Sequence, residues 1–245
     1  MPPNEFKWKH FAPTIILWCL RWYGSTPLSY ANVSDMLAER GISVHRSTIY
    51  RWFIEYAPIL RKKLKKYQFI RAVSSWQLDE TYVKVNGKWF YLYRAIDKYG
   101  DTLDVYFSPK RNRYAAYAFL KRILKPYRSE RQPKTLNTDK HAAYGYAIAR
   151  LIKEGKLRAD VKQRQIKTLN NRIESDHAPI KKLIVATGGF KSAKRAWSTL
   201  QGFETLRKLN KGQFDEWLRR DEPEFRVQER SAFMNRLFNV ETVLA

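Results

Sequence analysis

Apolar residues recur at helical spacing through the first sixty positions and at strand spacing soon after. Ile15, Ile16, Trp18, Cys19 and Trp22 predict a helix over Thr14 to Tyr23, with Gly24 as its stop. Ser29 is placed to cap a second helix bearing Val33, Met36 and Leu37, which Gly41 ends as a left-handed residue. Ser43 is placed to cap a third, ending at Ala57 because the residue before Pro58 avoids helical geometry. From Trp76 the period changes to two. Trp76–Val85 reads as a strand, Asn86-Gly87 as a hairpin turn, and Trp89–Ile96 as the returning strand. Lys98 to Asp101 turn into a third strand, Thr102–Phe107. A helix over Arg113–Leu124, a strand over Lys134–Thr138, a helix over Ala142–Lys153 and a short strand over Val161–Gln165 follow. Two helices, Asn170–Leu183 and Ser192–Leu209, close the pattern.

The first three helices have the order of a helix-turn-helix module, an order that any three-helix bundle shares. The outer face of the third adds to the picture. With Val44, Ile49, Trp52, Phe53 and Tyr56 turned inward, Arg46, Ser47, Tyr50 and Arg51 are left outside, a set suited to base edges and phosphates in a major groove. Arg61 to Lys66, including Lys62 and Lys63, read as a basic linker that tracks a phosphate backbone. Three strands in meander, then alternating helix and strand, then helices, is the order of an RNase H-like domain. The expected class is therefore α/β (α+β): an RNase H-like, retroviral-integrase-like core preceded by an all-α helix-turn-helix domain. The expected boundaries are 1–60 for the DNA-binding domain, 61–70 for the linker, 71–215 for the catalytic domain and 216–245 for a tail. In that tail Phe233, Leu237, Phe238 and Val240 are spaced for a short oligomerisation helix on a partner subunit, or for no fixed structure.

Charge sharpens the choice of partner. The 245 residues carry 47 Lys and Arg against 23 Asp and Glu, a net charge of +24. Such a field attracts polyanions, and nucleic acid is the default partner ahead of a ribosome or an anionic membrane surface. Cys19 is the single cysteine, which excludes an internal disulfide and a Cys-based zinc site. The apolar run Ile15–Leu20 is too short to span a bilayer, and Met1–Glu5 lacks a signal peptide's basic start. The expectation is a soluble protein of the reducing cytoplasm.

Three acids stand out by position: Asp79 midway along the first strand, Asp139 at the end of the fourth, and Glu174 in the first turn of a helix. An Asp inside a strand is disfavoured and costly to bury without a partner. Glu80 must point to the opposite face of the sheet, so only one of the two acids serves an inward site. A buried carboxylate cluster needs a cation among its members, and hard oxygen ligands suit Mg²⁺ or Mn²⁺. Two such ions clamp the attacking and leaving oxygens of a phosphodiester. Pairing of Asp79 with one of the many Lys or Arg residues is the alternative, and the residues alone leave both open.

The segments Leu78–Val85 (LDETYVKV), Asn137–Lys140 (NTDK) and Asn170–His177 (NNRIESDH) resemble the three acid motifs of bacterial insertion-sequence transposases of the DDE class, above all the insertion-sequence-six family. The 34 residues between Asp139 and Glu174 match that family and retroviral integrases. The resemblance extends to Thr48–Trp52 and to Gly189–Ser192, from about residue 8 to about residue 215. It implies Asp79, Asp139 and Glu174 as catalytic metal ligands for two Mg²⁺ or Mn²⁺ ions. It also implies double-stranded DNA (terminal inverted repeats and target) as substrate, at least a dimer as the working form, and a place on the bacterial nucleoid. It picks out Lys181, two helical turns after Glu174, as a phosphate contact, with Pro179 between them expected to kink the helix or force an irregular turn. Lys191 joins the candidate DNA contacts, and His177 reads as a polar helix residue touching DNA or its neighbours. The implied activity is 3′-end cleavage and strand transfer. A DNA-binding regulator with an inactive catalytic domain and a hydrolysis-only RNase H-like nuclease are the rivals.

Overall fold

The structure is a computed structural model and describes residues 4–68, 74–166, 171–214 and 223–241. The chain divides into two compact units. One comprises residues 1–69, 182–189 and 193–245, the other residues 70–181 and 190–192.

The first unit is helical. α1 (Pro13–Ser25), α2 (Tyr30–Ala38) and α3 (Arg46–Leu64) are joined by α7 (Ala193–Asn210) and α8 (Pro223–Leu237). α2 starts where its capping signal stands. The Ser29 hydroxyl accepts from the Asn32 N–H and the Asn32 side chain accepts from the Ser29 N–H, satisfying two of the donors a helix start leaves over. Gly41 follows with φ +72°, as its place after α2 requires. Val44, Ile49, Trp52, Phe53 and Tyr56 are all buried.

Several expectations for this unit change. Gly24 does not stop α1 but lies buried within it, where an added Cβ would stand 2.0 Å from Leu206 Cδ1. Gly202 on α7 is pressed against Phe53 in the same way, at 2.6 Å. Both glycines buy close helix approach rather than a chain turn. α3 is capped by His45, not Ser43, and runs through Pro58 to Leu64. The lost backbone bond and the ring's clash cost about 3 kcal/mol. Leu60 and Leu64 extend the buried stripe of Phe53, Tyr56 and Ala57, and their burial offsets that cost. Residues 61–64 are thus the last turn of α3, and a 3₁₀ turn over Lys65–Tyr67 follows. Residues 69–70 of the expected linker lie outside the described residues. Finally, the C-terminal stretch is no free tail. Phe233, Met234 and Phe238 of α8 and its end are buried in the chain's own unit, Phe238 against Phe6 (5.6 Å between ring centroids) and Phe233 against Tyr67 (5.4 Å). Of the face expected to meet a partner subunit, Phe233 and Phe238 are covered within this unit, and Leu237 and Val240 are half-buried.

The second unit holds a five-stranded sheet in the order β3-β2-β1-β4-β5. β1 (Ser75–Val85), β2 (Lys88–Asp97) and β3 (Thr102–Ser108) form the antiparallel meander, while β4 (Thr135–Asn137) and β5 (Lys162–Arg164) extend it in parallel from β1. Asn86 (φ 44°) and Gly87 (φ 77°) both take the left-handed conformation that a two-residue hairpin turn requires. α4 (Arg113–Leu124) and α5 (Ala142–Lys153) cover one face, burying Trp76, Leu78, Phe119, Leu120, Leu136 and Leu151 in one core. This is the RNase H-like core, and helices stand before it in the chain.

α6 (Asn171–Ala186) is one continuous helix through Pro179. The proline removes the donor to the Ser175 carbonyl. Ser175 is exposed, so water can satisfy that oxygen, while Ile173, Ile180 and Leu183 hold the helix on both sides of the proline. No irregular turn interrupts α6 at Pro179. Asn170, expected to open this helix, lies outside the described residues. The Ser192–Leu209 helix, expected to close the catalytic domain, is α7 and packs on α1 and α3 of the first unit.

Candidate active site

β1 carries Asp79 and Glu80 side by side on opposite faces, beyond the last residue at which β4 pairs with it, Gln77. The strand therefore has an open edge at both acids. On the side away from α4 and α5, Asp79 pairs in register with Arg94 of β2. Arg94 is fully buried, forms an ion pair with the Asp176 carboxylate of α6 at 2.7 Å and donates to the Asp176 main-chain carbonyl at 3.0 Å. That twofold contact ties the start of α6 to the middle of β2. His177, also buried, brings Nδ1 to 3.5 Å from Asp79 Oδ2. The expectation that His177 touches its neighbours is met, with Asp79 as the neighbour.

On the other side, Glu80 is buried between the Tyr144 hydroxyl of α5, which donates to it at 2.9 Å, and Arg111 of the β3–α4 loop, with which it forms a close ion pair. Arg111 also donates to Asp139 Oδ2 at 2.8 Å. The other Asp139 oxygen accepts the His141 N–H at 3.0 Å, in the tight turn between β4 and α5. Only one of Asp79 and Glu80 was expected at the site, yet Glu80 stands close to the other two acids. One oxygen from each of Asp79, Glu80 and Asp139 lies within 4.8 Å of the others. The faces do alternate, and Arg111, paired with both Glu80 and Asp139, is what joins those two carboxylates.

The Asp79 carboxyl is pushed up to about 7, first by burial, then by the Glu80 charge, with Asp139 and Glu174 adding to it. Glu174, exposed in the first turn of α6, is thus near enough for its charge to be felt at Asp79, though it lies outside the 4.8 Å cluster. Mutual repulsion among carboxylates at a partly buried edge, all with hard oxygen donors, is the environment in which a divalent cation is held. The residues fit such an ion.

The remaining candidates lie apart. Arg46, Ser47, Arg51 and Lys62 are exposed on α3. Tyr50 is half-buried, with its ring 5.5 Å from that of Tyr30, and Lys63 is paired with Glu5 at 2.5 Å. These two are less open to DNA than the pattern promised, because the first unit's own packing and charge pairing use them. Lys181 is exposed on α6. Lys191 is exposed next to Phe190, which bridges to Val85 beside the hairpin. Sequence reasoning missed Arg111, Tyr144 and the Arg94–Asp176 pair. Asp176 and His177 did leave a signal, since both stand on the buried stripe of α6 with Ile173 and Ile180, where a polar side chain needs a partner.

A DDE domain family matches residues 73–213, which span this sheet and its acids. The chain is thus a DDE-domain enzyme, built on an RNase H-like core with an acid cluster at the sheet edge. The transposase for the insertion sequence-like element IS431mec of Staphylococcus aureus is 42% identical over 208 residues, 85% of this chain and 89% of that protein. The transposase for insertion sequence element IS257 in transposon Tn4003, also from S. aureus, is 41% identical over the same share of both chains. An uncharacterized protein of Yersinia pseudotuberculosis, pYV0051, is 72% identical over 93 residues, 38% of this chain and 87% of that protein. A chain of a simian T-cell lymphotropic virus intasome aligns over 54% of this chain with a TM-score of 0.39 and 15% identity, too slight a likeness to argue from. The chain belongs to the insertion-sequence-six family of DDE transposases, a family that works with divalent metal. Among the described residues no helix is long and apolar enough to cross a membrane.

Proposed function

We propose that this transposase binds the terminal inverted repeats of its insertion sequence, cuts the 3′ strand at each element end and joins that end to target DNA. Asp79, Asp139 and Glu174 are the catalytic acids and hold two Mg²⁺ or Mn²⁺ ions. The observation that carries the reading is the convergence on Asp79: the Asp139 carboxylate lies within 4.8 Å and the Glu174 charge raises its affinity for a proton. When bound, the ions supply an activated water or 3′-hydroxyl and stabilise the leaving oxygen. The chain's residues do the rest. Arg94 holds α6 to the sheet through Asp176, which keeps Glu174 beside Asp79. Lys181, two turns along the same continuous helix, steadies the scissile phosphate. Arg46, Ser47, Tyr50 and Arg51 of α3 read the element end, and Lys62, Lys63 and Lys191 contact phosphates. Two ends must meet, so the working form is at least a dimer, acting on the nucleoid in the cytoplasm.

The test is a strand-transfer assay with labelled element-end DNA, a target plasmid and Mg²⁺. Wild type should yield joined products, and Asp79→Asn, Asp139→Asn and Glu174→Gln should each lose about three orders of magnitude or more while still binding the end DNA. A mutant that transposes at near wild-type rate removes its residue from the triad. Cut ends without joining point instead to a hydrolysis-only nuclease, and binding with neither step points to a regulator with an inactive catalytic domain.

A further inference from the structure

The face of β1 that carries Glu80 continues, one side-chain step on, as a strip of rings in which Tyr82 and Trp89 are exposed and Tyr91 is half-buried. Tyr82 is 50% exposed, and its ring centroid lies 5.2 Å from that of Tyr91, its register partner on β2, and 5.8 Å from that of Trp89. Trp89 is 55% exposed. The rings meet edge to face, an arrangement that holds them in place and leaves little side-chain freedom to lose when something binds. A cation stands at each end of the strip: Arg111 Cζ lies 6.0 Å from the Tyr82 ring centroid, and Lys84 Nζ lies 5.7 Å from that of Trp89. Arg111 is the residue that also bridges Glu80 and Asp139, so the strip begins where the acid cluster ends.

Fixed aromatic rings flanked by cations take nucleobases on the rings and their phosphates on the charges. The net charge of +24 makes a polyanion the favoured occupant over an apolar protein surface. One side-chain step along a strand is about 6.8 Å, or about two base steps at roughly 3.4 Å each. Bases inside an intact duplex turn only their edges outward, so ring faces are of use only to bases that have left the stack.

We infer that Tyr82, Trp89 and Tyr91 form a stacking platform for unpaired bases of the DNA strand held at the acid cluster, so that the enzyme engages frayed or single-stranded ends in preference to blunt ones. This rests on the reading that DNA ends are processed at that cluster.

The experiment uses the full chain in EDTA, where no cleavage occurs. Its probes are a fluorescein-labelled blunt duplex of arbitrary sequence and the same duplex with a five-nucleotide 3′ extension containing 2-aminopurine. Wild type should bind the extended duplex at least about fivefold tighter, since stacking contributes about 1–3 kcal/mol per base, and should quench the 2-aminopurine. Tyr82→Ala and Trp89→Ala should remove both effects and change blunt-duplex affinity less than twofold. Equal wild-type affinity for the two probes overturns the inference, as does unchanged fluorescence or an equal loss of both affinities in the variants. Should an alanine variant fail to fold, Tyr82→Leu and Trp89→Leu keep the apolar surface and carry the same expectation, while the wild-type fluorescence decides without any variant. The parallel strand-transfer assay separates the two ideas. A protein that cuts and joins ends without the preference sinks the platform alone, and one that neither cuts nor joins sinks the reading beneath it.

Discussion

Asp79 and Glu80 are neighbours in sequence, of like charge, and lie on opposite faces of one strand. Glu80 is matched at once: a guanidinium and a phenol hydroxyl hold its carboxylate inside the core formed with α4 and α5. Asp79 is not matched in that way. Arg94, its register partner on β2, pairs with Asp176, and the Asp79 carboxyl has a histidine and three further carboxylates about it. The same strand thus carries one acid with its charge compensated and one kept short of compensation. The first arrangement builds structure, because a buried charge is tolerated only when paired. The second stores an unmet demand for positive charge at an accessible edge, which is what a metal site needs before the metal arrives.

Four measurements break or sharpen this contrast. The largest effect belongs to the Arg94–Asp176 pair beside Asp79. Arg94→Met leaves Asp176 buried without its cation and should lower stability by about 3–5 kcal/mol in urea unfolding; a change under 1 kcal/mol means the pair is not what fastens α6. Glu80→Gln should cost less, about 1–3 kcal/mol, because Arg111 is part exposed and keeps Asp139. If Glu80→Gln proved as inactive as Asp79→Asn while folding normally, the division into structural and reactive acid would fail.

Asp79→Asn should act with the opposite sign on stability. In the metal-free protein the raised carboxyl keeps its proton up to about pH 7, whereas the unfolded chain releases it near its ordinary value of 3.8. Below both values neither state differs. Between them the folded protein binds more protons, so its stability falls as pH rises, and the loss is complete above about pH 7. Asp79→Asn removes that loss and should melt higher than wild type at pH 8 in EDTA, by on the order of 2 kcal/mol. The two should be alike at pH 3.5. A variant less stable than wild type at pH 8 would show that Asp79 is compensated after all. The smallest effect separates neighbours on α6. Lys181→Ala should reduce strand transfer about tenfold with end binding changed less than twofold, and Lys182→Ala, about 100° round the helix, should do little. Equal, mild losses in both would return Lys181 to the general surface charge.

Much of this was legible before any fold was seen. The hairpin at Asn86-Gly87 and the Ser29 cap are local devices, whose residues and bonds lie within four positions of one another. Asp79 announced itself because a carboxylate inside a strand is costly wherever that strand goes. Short-range rules misjudged Pro58 and Gly24 for a common reason. A proline's cost and a glycine's freedom are local, but what outweighs or uses them, the burial of Leu60 and Leu64 or the approach of Leu206, comes from elsewhere in the chain.

By itself the sequence determined the order of helices and strands, the polyanionic partner, the family motifs and the three acids they name. Tertiary structure alone decided which charges meet. That Arg111, from the β3–α4 loop, compensates Glu80 and Asp139, that Arg94 pairs with Asp176 82 positions later, and that the sheet edge opens beside Asp79 because β4 ends at Asn137, all depend on contacts between distant segments. Periodicity says which face of an element a side chain leaves from. Coulombic pairing acts over a few ångströms of space, and only the folded chain sets which side chains stand within that reach.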